Sequence, residues 1–161
     1  MVMPAGRGQV IFSMKNAELR CQLVEGAFPE IQQIVPTGFK TRTVVATDAF
    51  LKAARQAEIF ARESSHITRL DIKPGEGNSP GIVDISATAE ETGSNDSKVD
   101  ATVEGNGVLI AINVRYLREA LEAMKAPNVA LETTAPAAPG VLRPMGNDDF
   151  LHVIMPMHLG K

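Results

Sequence analysis

The residues that could do covalent or metal chemistry in this 161-residue chain are few and scattered. Its histidines are His66, His152 and His158, and none stands at metal-ligand spacing from another ligand-forming residue. Ser64-Ser65-His66 places hydroxyls beside an imidazole, but it is a local cluster without a plausible acid to complete a triad, and solvation of a helix end explains it. Asp148-Asp149 follows Gly146-Asn147, a turn setting in which acceptor side chains are ordinary. The stretch "GEGNSPG" from Gly75 to Gly81 lacks the strand-to-helix context of a phosphate loop. Cys21 is the single cysteine, which excludes an internal disulfide and fits a reducing cytoplasm. It alternates with polar neighbours in "ELRCQLVEG" and is expected to be a small buried strand residue. The chain is therefore expected to be no enzyme, with no cofactor and no metal. A small hydrolase is the weakest reading.

Non-covalent recognition chemistry is better represented. The chain closes on "FLHVIMPMHLGK", with methionines on both sides of Pro156. The run Phe150 to Ile154 reads as a strand that ends near Met155, because proline cannot continue a central strand. Methionine is flexible and polarizable, which suits a groove that accepts several partners. The competing reading makes Met155 and Met157 fillers of gaps in the core.

Charge offers a second theme. Lys52, Arg55 and Arg62 lie opposite an alanine-rich face of one predicted helix, and Arg118 and Lys125 lie on another. The net charge is −3, from 16 basic and 19 acidic residues, so the surface as a whole is not built to grip nucleic acid. With no tryptophan and one tyrosine, Tyr116, base-stacking platforms are not expected. Glu58, Glu119 and Glu122 support a merely solvated face as the alternative. Ile59 projects with Lys52 and Arg55, where a lone molecule should be polar, and Phe60 adjoins it. The pair reads as an interface, or else as a core contact beneath a loop.

These residues need elements to position them. "TVVATDAFLKAARQAEIFARES" reads as strand, cap and helix, with Thr47 or Asp48 as the cap. Phe50, Ala53, Ala54, Ala57 and Ala61 fall at helical spacing and form one apolar face. Three strands follow, in "ITRLDIKP", "GIVDISATAEE" and "SKVDATVEG". The order then recurs: strand "GVLIAIN", helix "NVRYLREALEAM" with Val114, Leu117, Leu121 and Met124 inward, then strands in "NVALETT", "GVLRPM" and "FLHVIMPM". A β-α-β-β-β unit written twice predicts an α+β fold, with helices of about residues 47–63 and 113–125 on one side of antiparallel sheets. The first 36 residues differ. They read as a hairpin through Lys15-Asn16 and a proline-bounded connector, "AFPEIQQIVPTG". A lone hairpin is marginal in water, so this segment is expected to be the end of a preceding domain. No apolar run approaches the length of a membrane span.

Taken in order, the hairpin, "LVEGAFPEIQQIVP", the doubled unit, "INVRYLREAL" and "VIMPMHL" resemble the bacterial sliding clamp, the beta subunit of DNA polymerase III. The resemblance covers essentially the whole chain. It implies residues 1–36 as the terminal hairpin and connector of a truncated preceding clamp domain, and residues 37–161 as a complete C-terminal clamp domain. It implies a peptide-binding groove using Pro29, Gln33 and Ile34 of the connector, Asn113 and Tyr116 of the second helix, and Met155, Pro156, Met157, His158 and Leu159. Gln33 and His158 stand where the family often has basic residues, which implies a weaker acidic contact. Gly160-Lys161 extends past the family's usual terminal leucine. The resemblance further implies that Ile59 and Phe60 pack on a neighbouring subunit. Lys52, Arg55, Arg62, Arg118 and Lys125 would face duplex DNA loosely and without sequence preference.

The expectation is a non-enzymatic processivity clamp, represented by its C-terminal portion. The implied partners are duplex DNA, polymerase III subunits, the clamp loader and repair polymerases, the proteins being held through short apolar peptide motifs. A homodimer is implied for the full-length family, and no membrane. The alternative is a stand-alone peptide-binding or oligomerising module that does not encircle DNA.

Overall fold

The computed structural model describes residues 8–28, 30–77, 79–89, 91, 93–147 and 149–157. The chain divides into two compact units, Met1–Ile31 and Gln32–Lys161. In the first, β1 (Gln9–Met14) and β2 (Ala17–Gln22) form an antiparallel hairpin across Lys15-Asn16. Its register pairs Val10 with Cys21, Phe12 with Leu19 and Met14 with Ala17, which gathers apolar side chains on one face. Cys21 is half-buried, short of the buried position expected, because a two-stranded ribbon contributes only one layer of cover. The connector contains one helical turn, α1 (Ile31–Ile34).

The second unit runs β3 (Thr41–Ala46), α2 (Thr47–Ala61), a 3-10 turn (Arg62–Ser64), β4 (Ile67–Lys73), β5 (Gly81–Ala89) and β6 (Gly93–Gly105). It continues with β7 (Val108–Asn113), α3 (Val114–Ala123), β8 (Asn128–Thr133), β9 (Gly140–Pro144) and β10 (His152–Ile154). The doubled β-α-β-β-β order is thus present in the element sequence. The strands form one eight-stranded sheet in the order β10-β9-β8-β3-β6-β5-β4-β7, with antiparallel neighbours throughout.

Backbone bonds repeat with the doubling. Thr47 N–H at the head of α2 donates to Pro127 O just before β8, at 2.9 Å. Val114 N–H at the head of α3 donates to His66 O just before β4, at 2.8 Å. Each helix is therefore anchored to the other half's second strand. The core lies where both helices meet the sheet and includes Phe50, Leu70, Ile85, Ile112, Leu117, Leu121, Leu131 and Leu142. The small residues Ala53, Ala54 and Ala57 bring α2 close to β5 and β6.

Three local expectations are corrected. Neither Thr47 nor Asp48 caps α2: Ala46 is the N-cap residue and provides no side-chain bond, while Thr47 is already helical and buried. The last strand starts at His152, so Phe150 and Leu151 precede it and are exposed. Phe60 is half-buried and packs on the core, so of the Ile59-Phe60 pair only Ile59 projects outward.

Candidate peptide-binding surface and charged helix face

The terminal segment is held at both ends of its short path. β10 pairs with β9 through His152↔Leu142 and Ile154↔Gly140, and Ile154 is buried against the core. Pro156 has no N–H, so a regular ladder cannot continue beyond it. One residue later, Met157 N–H donates to Ala111 O of β7 at 2.7 Å. That bond joins the segment after β10 to β7, the strand at the other end of the sheet order. Under the doubling, β7–β10 corresponds to β3–β6, which is a full ladder from Thr41↔Gly105 to Val45↔Ala101. The proline reduces the equivalent junction to a clasp.

This clasp sits beside the β7–α3 junction. Asn113 follows Ala111 by two residues and is the N-cap of α3. Its Oδ1 accepts from Arg115 N–H at 3.0 Å and Tyr116 N–H at 3.4 Å. The cap occupies the acceptor and leaves the amide NH2 to meet a ligand. Tyr116, in the first turn of α3, is 56% exposed, and Met155 is 59% exposed. Pro156 and Met157 are half-buried. The terminal methionines are therefore not sealed core fillers: Met155 faces out and Met157 lines the clasp. Gln33 and Ile34 stand exposed in α1. Pro29, His158 and Leu159 lie outside the described residues.

Sequence reasoning missed Leu109, an exposed apolar residue on β7. It shares a face with Ala111, but "VLIAIN" is a continuous apolar run, so no alternation marks Leu109 as the exposed member. His152 also went unremarked as a half-buried titrating group. Burial holds its imidazole below the usual histidine range.

The other candidate surface is the side of α2 and α3 away from the sheet. The helices cross antiparallel, with Arg55 opposite Glu122 and Glu58 opposite Arg118. Arg55 Nη2 lies 3.0 Å from Glu122 Oε1. Arg118 Nε lies 2.7 Å from Glu58 Oε2, and its Nη1 lies 2.8 Å from Glu122 Oε2. Arg115 pairs with Glu119 at 2.9 Å. Hydrogen bonds from Arg55 and then Arg118 hold the Glu122 carboxyl below its ordinary range. The bond to Glu122, followed by the charge of Glu58, raises Arg118 further. Lys52, Arg62 and Lys125 are exposed and form no ion pair among the described residues. The same described residues contain no group of three ligands able to hold a metal. No helix among them is long and apolar enough to cross a membrane.

A doubled β-α-β-β-β unit, closed into one antiparallel sheet with two helices on it, is a clamp-type α+β domain. Residues 32–158 match the family described as DNA polymerase III beta subunit, C-terminal domain, and the chain belongs to that family. It is 28% identical over 153 residues to the beta sliding clamp of Synechococcus elongatus, covering 95% of this chain and 40% of that protein. It is 29% identical over 150 residues to the beta sliding clamp of Staphylococcus aureus, covering 92% of this chain and 38% of that one. The solved structure of the Bacillus subtilis sliding clamp superposes with a TM-score of 0.77 at 26% identity, over 95% of this chain and 40% of that one. The chain thus spans about 40% of the length of the curated relatives it matches. The family is one of non-catalytic processivity factors in DNA replication.

Proposed function

We propose that this chain works as part of a DNA sliding clamp in the cytoplasm, tethering DNA polymerase III subunits and other replication or repair factors to duplex DNA. In this reading residues 37–161 are the C-terminal clamp domain, and the segment before them belongs to a preceding clamp domain. The peptide-binding surface consists of Met155, Pro156 and Met157 with Asn113, Tyr116 and Ile34. Its ligand is a short apolar and aromatic peptide. The clasp of Met157 on Ala111 carries this reading, because it presents a methionine-rich edge beside an exposed tyrosine and an amide donor. Lys52, Arg62 and Lys125, with Arg55 and Arg118, would face DNA, and loose phosphate contacts suit a protein that slides. Ile59 is the exposed apolar point for subunit contact in a homodimeric ring.

The testing experiment is a calorimetric titration of the chain with such a peptide, using Met157→Ala as the variant. The backbone clasp survives this substitution and the side chain does not. Loss of about two buried methylene-sized groups, at roughly 0.8 kcal/mol each, weakens binding about tenfold or more. Equal binding accompanied by a large loss of stability would mean that "VIMPM" is only core.

A further inference from the structure

Of the five basic residues read as facing DNA, two are already occupied. Arg55 is held by Glu122, and Arg118 is held by Glu58 and Glu122 together. The Arg55–Glu122 and Arg118–Glu58 bonds run between helices, while Arg118–Glu122 is an i,i+4 pair along α3, so each arginine has one partner on the other helix. Arg118 is half-buried in this network, with 23% of its side chain exposed. A DNA phosphate reaches Arg118 only by competing with carboxylates already in place, and it meets Arg55, 59% exposed, with one nitrogen already on Glu122.

We propose that Glu58 and Glu122 are brakes on DNA affinity. Glu122 holds Arg55 and Glu58 holds Arg118 across the helices, so that a duplex on this face meets Lys52, Arg62 and Lys125 free of ion pairs among the described residues and the two arginines already partly neutralised. The inference rests on the DNA-facing reading above and assigns a tuning role within it. Each phosphate neutralised adds about 0.9 to the slope of log affinity against log salt for duplex DNA. Two withheld arginines therefore flatten that slope by up to about 1.8 and shorten the time spent at any one position. The carboxylates supply a second benefit, since they fix the α2–α3 crossing without adding net positive charge to the face.

The test is binding of the full chain to a short DNA duplex, followed by fluorescence anisotropy between about 50 and 200 mM salt. Glu122→Gln is the variant, because Glu122 touches both arginines. Asp48→Asn is its charge-matched control. Asp48 is an exposed carboxylate in the first turn of α2, spaced four and seven residues from Lys52 and Arg55, and it forms no ion pair among the described residues. Circular dichroism checks that both variants keep the fold. Glu122→Gln releases Arg55 but leaves Arg118 on Glu58, so it is expected to steepen the slope by about 0.9, one phosphate contact, while Asp48→Asn shifts affinity with a slope change under half of that. Equal slopes for the two variants would reduce the effect to long-range charge and overturn the proposal. An unchanged Glu122→Gln slope would overturn it as well. If none of the three proteins binds duplex at the lowest salt, the DNA-facing reading falls too, while the peptide titration still decides the groove independently.

Discussion

Asn113 performs a structural task that can be separated from its place in the candidate site. Its Oδ1 satisfies Arg115 N–H and Tyr116 N–H at the head of α3. The helix has only 10 residues, Val114–Ala123, too short to be stable by itself in water. It depends on its buried face and on its cap. Asn113→Ala should cost about 1 kcal/mol, the usual value for a lost N-cap. For a domain of this size that lowers Tm by about 3 °C. Asn113→Asp keeps an acceptor at the same place and adds negative charge at a helix N-terminus, so stability should hold or rise slightly. The aspartate, however, has no NH2 to donate. If that group orients a bound peptide, Asn113→Asp should weaken peptide binding roughly fivefold, the scale of one net hydrogen bond. Thermal unfolding by circular dichroism and peptide titration read the two effects separately. An alanine variant that melts with the parent, or an aspartate variant as destabilised as the alanine one, would refute the capping argument.

His152 is expected to make stability depend on pH. Its folded-state pKa lies below the ordinary value of 6.5, so on acidification the unfolded chain takes up the proton first. The contribution is fully present above about pH 6.5 and is lost as pH falls towards the folded-state pKa; His152→Gln should flatten that part of a urea-stability profile. Leu117→Ala, at a fully buried position, should cost about 2–5 kcal/mol by denaturant unfolding. Met155→Ala, at an exposed one, should cost under about 0.5 kcal/mol and weaken peptide binding instead.

The doubled unit was legible because it is written in local spacing. Alanines and Phe50 at helical intervals, and alternation in "GIVDISATA", fix element type without knowledge of any partner. The inward faces of both helices follow from the same periodicity, and Phe50, Ala54, Leu117 and Leu121 are all buried. Strand order was not legible, since pairing β3 with both β6 and β8 depends on contacts across 50 or more residues. The α2 cap was misplaced because Thr47 and Asp48 have the right chemistry, yet the bond from Thr47 N–H to Pro127 O starts the helix one residue early. The charges of the helix face are visible one residue at a time, but their pairing between helices depends on how α2 and α3 cross, which local spacing does not encode. In the candidate site, the methionines around Pro156 were visible as an oddity of composition. The clasp on Ala111 was not, because a single backbone bond between the two ends of the sheet leaves no trace in side-chain pattern.

The central claim is that the terminal segment and the β7–α3 junction form one peptide-binding surface. Amide and methionine-methyl NMR spectra of the full chain, recorded while a short apolar and aromatic peptide is titrated in, test it most directly. Saturable shifts are expected, centred on Ala111, Asn113, Tyr116, Met155 and Met157, with the α2 residues Lys52 and Arg55 unmoved. Shifts confined to the helix face or to the β4–β5 surface, or none at saturating peptide, would contradict it.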